Sequence, residues 1–347
     1  MTTKEITMRL TSMCAWVGLV AAVSVTGCKK PDGGDEFRAG VPTRETVALV
    51  VAGAPADGAA PANAGGVTTT TSMLLGQKAD TYTATRVVTG VVNGGTWAVL
   101  TLVKTIVEFP PTSVDVLGQT AVWGPHTDPL SPNTWRLTVK RLAAHDFQWL
   151  LEARAKTADD SAFKTIISGT HTADVASGVE IEGFGSGMFT IDWDAAATLP
   201  EHDANVGKAA FTYAHALADG VVHVTCDFTG IQDATTKEIF NAEYRYVSTP
   251  GAGGELRYAE DKNNVPTTAA KEHFTFHSRW TEQGAGRSDL ADSGGDLGSV
   301  TAHASECWDS NFSSVYMLKD YDTAAADNWG AESSCDPAFP SAVYAGL

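Results

Sequence analysis

The groups with which this chain of 347 residues could do chemistry are five cysteines, nine histidines and 41 acidic residues. Their spacing decides what is available. His273 and His277 are four apart, in a segment where Phe274, Phe276 and Trp280 alternate with His273, Thr275, His277 and Arg279. On a strand, the two imidazoles share a face but sit well apart along it, so they read as exposed strand histidines, not a zinc pair. Glu201-His202-Asp203 reads as a polar loop. Asp289, Asp292 and Asp296 flank Gly294-Gly295, and Asp320, Asp322 and Asp327 form a similar group. Neither matches an EF-hand calcium loop, and both read as solvated acidic loops. Gly183-Phe184-Gly185-Ser186-Gly187 has the wrong spacing for a Gly-x-Ser-x-Gly elbow, and the sequence holds no Walker loop and no His-Glu-x-x-His. No catalytic set, metal or cofactor is expected.

The cysteines point to a different chemistry. An apolar run from Met13 to Val25 follows the basic Arg9 and ends in small residues. That is the pattern of a secretory signal, too short for a membrane-spanning helix. Its last residues, Val25-Thr26-Gly27-Cys28, resemble the lipobox of bacterial lipoproteins. The resemblance implies removal of residues 1–27, together with Cys14. It also implies a mature chain beginning at Cys28, with a thioether-linked diacylglycerol and an amide-linked third chain. Lys29 and Lys30, not aspartate, follow Cys28. By the family's sorting rule this implies the outer membrane of a bacterial cell envelope. Each buried methylene contributes about 0.8 kcal/mol, so two or three acyl chains, palmitate among them, make a stable anchor. The alternative is an ordinary secretory signal, with Cys28 a free thiol.

Cys226, Cys307 and Cys335 remain. In an oxidising envelope two of three should pair. Cys307 and Cys335 bracket a Ser-, Asp- and Ala-rich segment with little else to hold it, and their closure would contribute about 3 kcal/mol. Cys226 lies in the alternation Val222, Val224, Phe228 and is expected to be a buried free thiol.

Without residues 1–27 the chain has 22 basic and 40 acidic residues, a net charge of −18. That excess argues against nucleic acid and against electrostatic docking on anionic lipid. A hydrophobic content of 43% is enough for a core.

Residues 28–44, with Pro31-Asp32-Gly33-Gly34, read as a tether behind the lipidated cysteine. Thr46 to Val51 is β-branched and could open the body as a strand; 52–71 reads as a loop. From Ala84 to Ile106 the apolar spacing is helical, ending before Pro110-Pro111. A helix over about 84–109 is expected, broken at Gly94-Gly95 with Thr96 capping its second half. From Thr120 the chain alternates: Trp135, Leu137, Val139; Phe147, Trp149, Leu151; Phe163 to Ile167; Met188 to Trp193. Phe211, Tyr213 and Leu217 lead through Asp219-Gly220, a hairpin turn, to Val222–Phe228. Phe240, Ala242, Tyr244 and Tyr246, then Leu256 and Tyr258, then Phe274 to Trp280 complete the series. The expected fold is mainly β: one strongly curved antiparallel sheet or barrel over residues 45–347, a single domain, with the helix packed against it.

Phe211, Tyr213, Phe240, Tyr244, Phe274, Phe276 and Trp280 would share one sheet face, as packed core or as the lining of a cavity for an apolar ligand. Three roles follow. One is a lipoprotein meeting an envelope protein or serving a structural role. Another is a carrier of a lipid or other small apolar ligand, which looks like the half-barrels that carry lipoproteins. The third is an envelope hydrolase without a recognisable motif. A non-catalytic binding or structural role is expected.

Overall fold

A computed structural model describes residues 35–53, 75–202, 204–233, 236–263, 268, 270–321 and 328–344. The signal segment, Cys28 and most of the 52–71 loop lie outside these residues. The described chain is mainly β and antiparallel, as the alternation predicts. It forms two compact units that interleave in sequence. One joins residues up to Val47 with Gly95–Ala218; the other joins Ala48–Gly94 with Asp219–Leu347.

In the first unit seven strands run in chain order: β1 (Ser113–Val114), β2 (Thr120–His126), β3 (Asn133–Arg141), β4 (Asp146–Ala155), β5 (Lys164–Ala176), β6 (Val179–Asp192) and β7 (Lys208–His215). Each pairs antiparallel with the next. Alternation sets the core face: Leu137, Val139, Phe147, Trp149 and Leu151 are all fully buried. Gly169 stands between Trp149 and Phe189, and a Cβ there would approach Phe189 to 2.8 Å and Trp149 to 2.9 Å, so the glycine makes room for both rings. Helix α1 (Asp35–Arg38) precedes the sheet, with Phe37 buried. The stretch expected as a free tether up to residue 44 is therefore seated in the body from Asp35 onward. An aromatic side chain with no exposed surface fixes it there.

In the second unit eight strands again follow chain order: β8 (Val222–Gln232), β9 (Ile239–Thr249), β10 (Gly253–Lys262), β11 (Glu272–Thr281), β12 (Gly286–Gly294), β13 (Thr301–Trp308), β14 (Ser314–Lys319) and β15 (Trp329–Gly330). One of these, β12, runs through Asp289 and Asp292, where the sequence reads as an acidic loop, and both carboxylates are buried.

Helix α2 (Asp80–Glu108) is continuous through Gly94-Gly95, so the expected break is absent. Asn93 accounts for part of this. Its carboxamide is buried and accepts from Leu49 N–H at 3.0 Å while donating to Leu49 C=O at 2.8 Å. The Asn-Gly pair thus serves as a buried anchor within the helix. The same bonds explain why Thr46–Val51 is not a strand. Glu45–Val47 is a 3-10 turn, and the backbone that follows is held by side chains. The Tyr246 hydroxyl accepts from Val50 N–H at 2.7 Å and donates to Val50 C=O at 2.8 Å. At the far end of the helix, Arg38 Nε donates to Val107 C=O at 2.6 Å, a cation on the terminal carbonyls. No helix among the described residues is long and apolar enough to cross a membrane.

Candidate functional site

The chemistry-bearing side chains of the second unit collect on the two faces of β10–β14. Register determines which residue meets which. On one face a row runs Cys226, Tyr244, Tyr258, Phe276, Leu290, Ala304 across β8 to β13. The adjacent row runs Tyr246, Leu256, Ser278, Ser288, Glu306, Met317. Helix α2 presents Thr81, Thr85 and Thr89, four apart and all buried, and the first two bond to this polar row. Thr85 Oγ1 lies 2.7 Å from Ser278 Oγ. Glu306 accepts from Thr81 N–H at 2.8 Å and from Thr81 Oγ1 at 2.7 Å, satisfying a donor that the first turn of a helix leaves unpaired. Burial pushes the Glu306 carboxyl up to about 7, against the ionised-form preference of the Thr81 and Ser314 hydrogen bonds. A carboxyl held near neutrality suits acid–base work in principle. Glu306 keeps only 1% of its surface exposed and its described partners are Thr81 and Ser314.

The opposite face carries a charged cluster covered by the C-terminal segment. Arg287 and Asp289 are buried, two apart on the same face of β12. Asp289 accepts from Arg287 Nε at 3.0 Å, Ser305 Oγ at 2.6 Å, Arg279 at 2.7 Å and Val343 N–H at 2.9 Å. Arg287 also donates to Glu332 at 2.7 Å. His277 Nδ1 lies 3.0 Å from Val343 C=O, and its Nε2 is 3.1 Å from Glu255. The His277 and Arg257 contacts hold the Glu255 carboxyl down at about 2. The Cys307–Cys335 disulfide pins this same segment, with Cys226 free and buried.

His273 is exposed and pairs with Asp261 at 2.8 Å, as a strand histidine would. His277 is corrected: it is 2% exposed, because the C-terminal segment lies over its face of the sheet. Asp289 and Asp292 are likewise buried strand residues, not loop carboxylates. Asp296 follows β12 in a 3-10 turn and receives Thr268 Oγ1 at 2.7 Å. Among the described residues no group of three or more His, Cys, Asp or Glu is arranged to hold a metal. Glu201 and His202 lie in a loop, while Asp203, Asp322 and Asp327 fall outside the described residues.

The seven aromatics do not form a single group within one unit. Phe211 and Tyr213 belong to the first, where Phe211 stacks on Phe189 at 4.7 Å and Tyr213 meets His171 at 3.0 Å. Phe240, Tyr244, Phe274, Phe276 and Trp280 belong to the second. None of the seven keeps more than 5% of its surface. A side chain lining a void wide enough for a ligand would retain accessible surface, so these seven pack as core. Gly254 makes the room for Trp280: a Cβ there would sit 2.5 Å from the indole.

Sequence reasoning missed the Arg287–Asp289 cluster and Glu306. Each lies on a polar-looking strand whose partners come from 225 residues away, for Thr81, or from the C-terminal segment. No local pattern encodes either. No protein family, curated protein or solved structure matches this chain.

Proposed function

We propose that this is a lipid-anchored protein of the bacterial outer membrane, held through Cys28, whose β body serves a non-catalytic interaction or structural role. The observation that carries the anchor is the signal ending in Val25-Thr26-Gly27-Cys28. Two structural features support the non-catalytic role. The aromatic residues pack as core. The charged groups Arg279, Arg287, Asp289 and Glu332 are engaged with one another under a covering segment.

Mass spectrometry of the mature protein from a bacterial host tests the anchor: Cys28 should carry acyl chains, and Cys28→Ala should release the protein from the membrane fraction. An unmodified Cys28 would refute the anchor. Native mass spectrometry tests the role. An apo mass is expected, whereas a stoichiometric lipid lost on denaturation would make the protein a carrier.

A further inference from the structure

We infer that one end of the β1–β7 unit rests in the surface of the bilayer that anchors Cys28, with aliphatic side chains on its turns buried among the lipid headgroups. The inference rests on the anchored reading above. In a meander, successive connections alternate between the two ends, so the β1–β2, β3–β4 and β5–β6 turns share one end. These turns and their flanks carry Val114, Val116, Leu117, Leu142, Val175 and Val179, all exposed, with Val116 at 102% and Leu117 at 75%. Single exposed aliphatics are ordinary, and turns normally favour Gly, Asn, Asp and Ser. Six on three consecutive turns at one end is the pattern of an interaction surface. The turns are tied together: Arg141 N–H donates to Gln119 C=O at 2.8 Å, Ala173 N–H to His145 C=O at 3.0 Å, and His145 lies 2.9 Å from Glu180. The opposite end is charged, with Asp128, Lys156, Asp159, Asp160 and Asp194, and among the described residues Leu130 is its large exposed aliphatic.

The occupant follows from where the chain arrives. Helix α1 is seated at the apolar end, with Arg141 5.2 Å from the Phe37 ring and Gly40 packed on Phe147 and Val139. Arg141 and Phe147 flank the turn that carries Leu142. Seven residues lead from Cys28 to Asp35, a reach of at most roughly 25 Å. The charged end lies a further strand length away, and the ten residues of β4 alone span roughly 33 Å. A lipid on Cys28 therefore holds the apolar turns near the bilayer and the charged end away from it. Asp115, Asp146 and Glu180 beside these turns offset Lys140 and Arg141, so contact comes from apolar burial and not from attraction to anionic lipid.

The test uses the full acylated protein in phosphatidylcholine vesicles. Leu117→Cys, Leu142→Cys and Leu130→Cys variants each carry an environment-sensitive fluorophore, and the lipids bear spin labels on their acyl chains. Cys226 is buried and Cys307 is bonded to Cys335, so the label goes to the introduced thiol. Probes at 117 and 142 should shift to the blue and be quenched several-fold more than the probe at 130, with no loss at high salt. Acylated protein whose probes at 117 and 142 behave like the probe at 130 overturns this inference alone. Protein without acyl chains on Cys28 overturns the anchored reading and this inference with it.

Discussion

Asn93 holds Leu49 by both of its backbone groups, doing with one carboxamide what a neighbouring strand would otherwise do. Removing that carboxamide leaves a buried N–H and a buried carbonyl without these bonds. Each such loss costs about 1–3 kcal/mol, so Asn93→Leu should lower unfolding stability by about 2–4 kcal/mol. Asn93→Asp should not rescue it, because a carboxylate accepts from Leu49 N–H but faces the Leu49 carbonyl with no donor. Denaturant unfolding of the two variants checks this.

Glu306 makes stability depend on pH in an unusual direction. Its folded carboxyl titrates at about 7, with Asp80 adding to the effect of burial, against about 4.3 when unfolded. Between those values the folded state holds a proton that the unfolded state has lost. Stability therefore falls as pH rises from about 4.3 to 7 and levels off above, a loss of about 4 kcal/mol. Glu306→Gln keeps an acceptor for Thr81 and should remove this slope, so it should be the more stable form at pH 8.

His171 acts with the opposite sign. Burial pushes its imidazole down to about 4, beside Tyr213. The folded ring stays neutral while the unfolded ring gains a proton below about 6.5, so stability falls as pH drops from about 6.5 to 4, by about 3 kcal/mol. Proton NMR of the histidine resonances, assigned by the loss of one in His171→Gln, should find this ring uncharged at pH 5. A ring that titrates near 6.5 would refute it.

The Cys307–Cys335 bond closes a separation of 28 residues. Closing such a loop is worth about 3–4 kcal/mol in the chain-entropy treatment. Replacing both cysteines by serine should cost about that much, and it should expose residues 331–343 to protease while β8 to β11 stay protected. Limited proteolysis followed by mass spectrometry distinguishes this local release from global unfolding.

Much of the architecture was readable because apolar alternation is a local signal: Leu137 and Val139, Phe211 and Tyr213, and Phe240 to Tyr246 all lie on strands with those alternate residues inward. The helix was readable from its spacing, but its continuity was not. A glycine pair argues for a break unless the partner that stabilises the turn before it is known, and Leu49 is 44 residues distant from Asn93. Strands β12 to β14 escaped for the same reason. Arg287 and Asp289 look like loop residues until Arg279, Ser305 and Glu332 are set around them. Sequence reasoning finds what neighbours decide, and these sites are decided by distant strands.

The interleaving of the two units has a consequence for the order in which the chain can fold. Strands paired in sequence order can zip up hairpin by hairpin as they emerge, since each closes only a short loop. The start of α2 cannot finish with them. Thr81 waits for Glu306, and Val50 waits for Tyr246. Residues 48–53 and the start of α2 therefore stay undocked until β8 to β13 are in place, and over that interval the apolar side chains of Leu49, Val51 and Tyr82, buried in the finished fold, lie open to self-association.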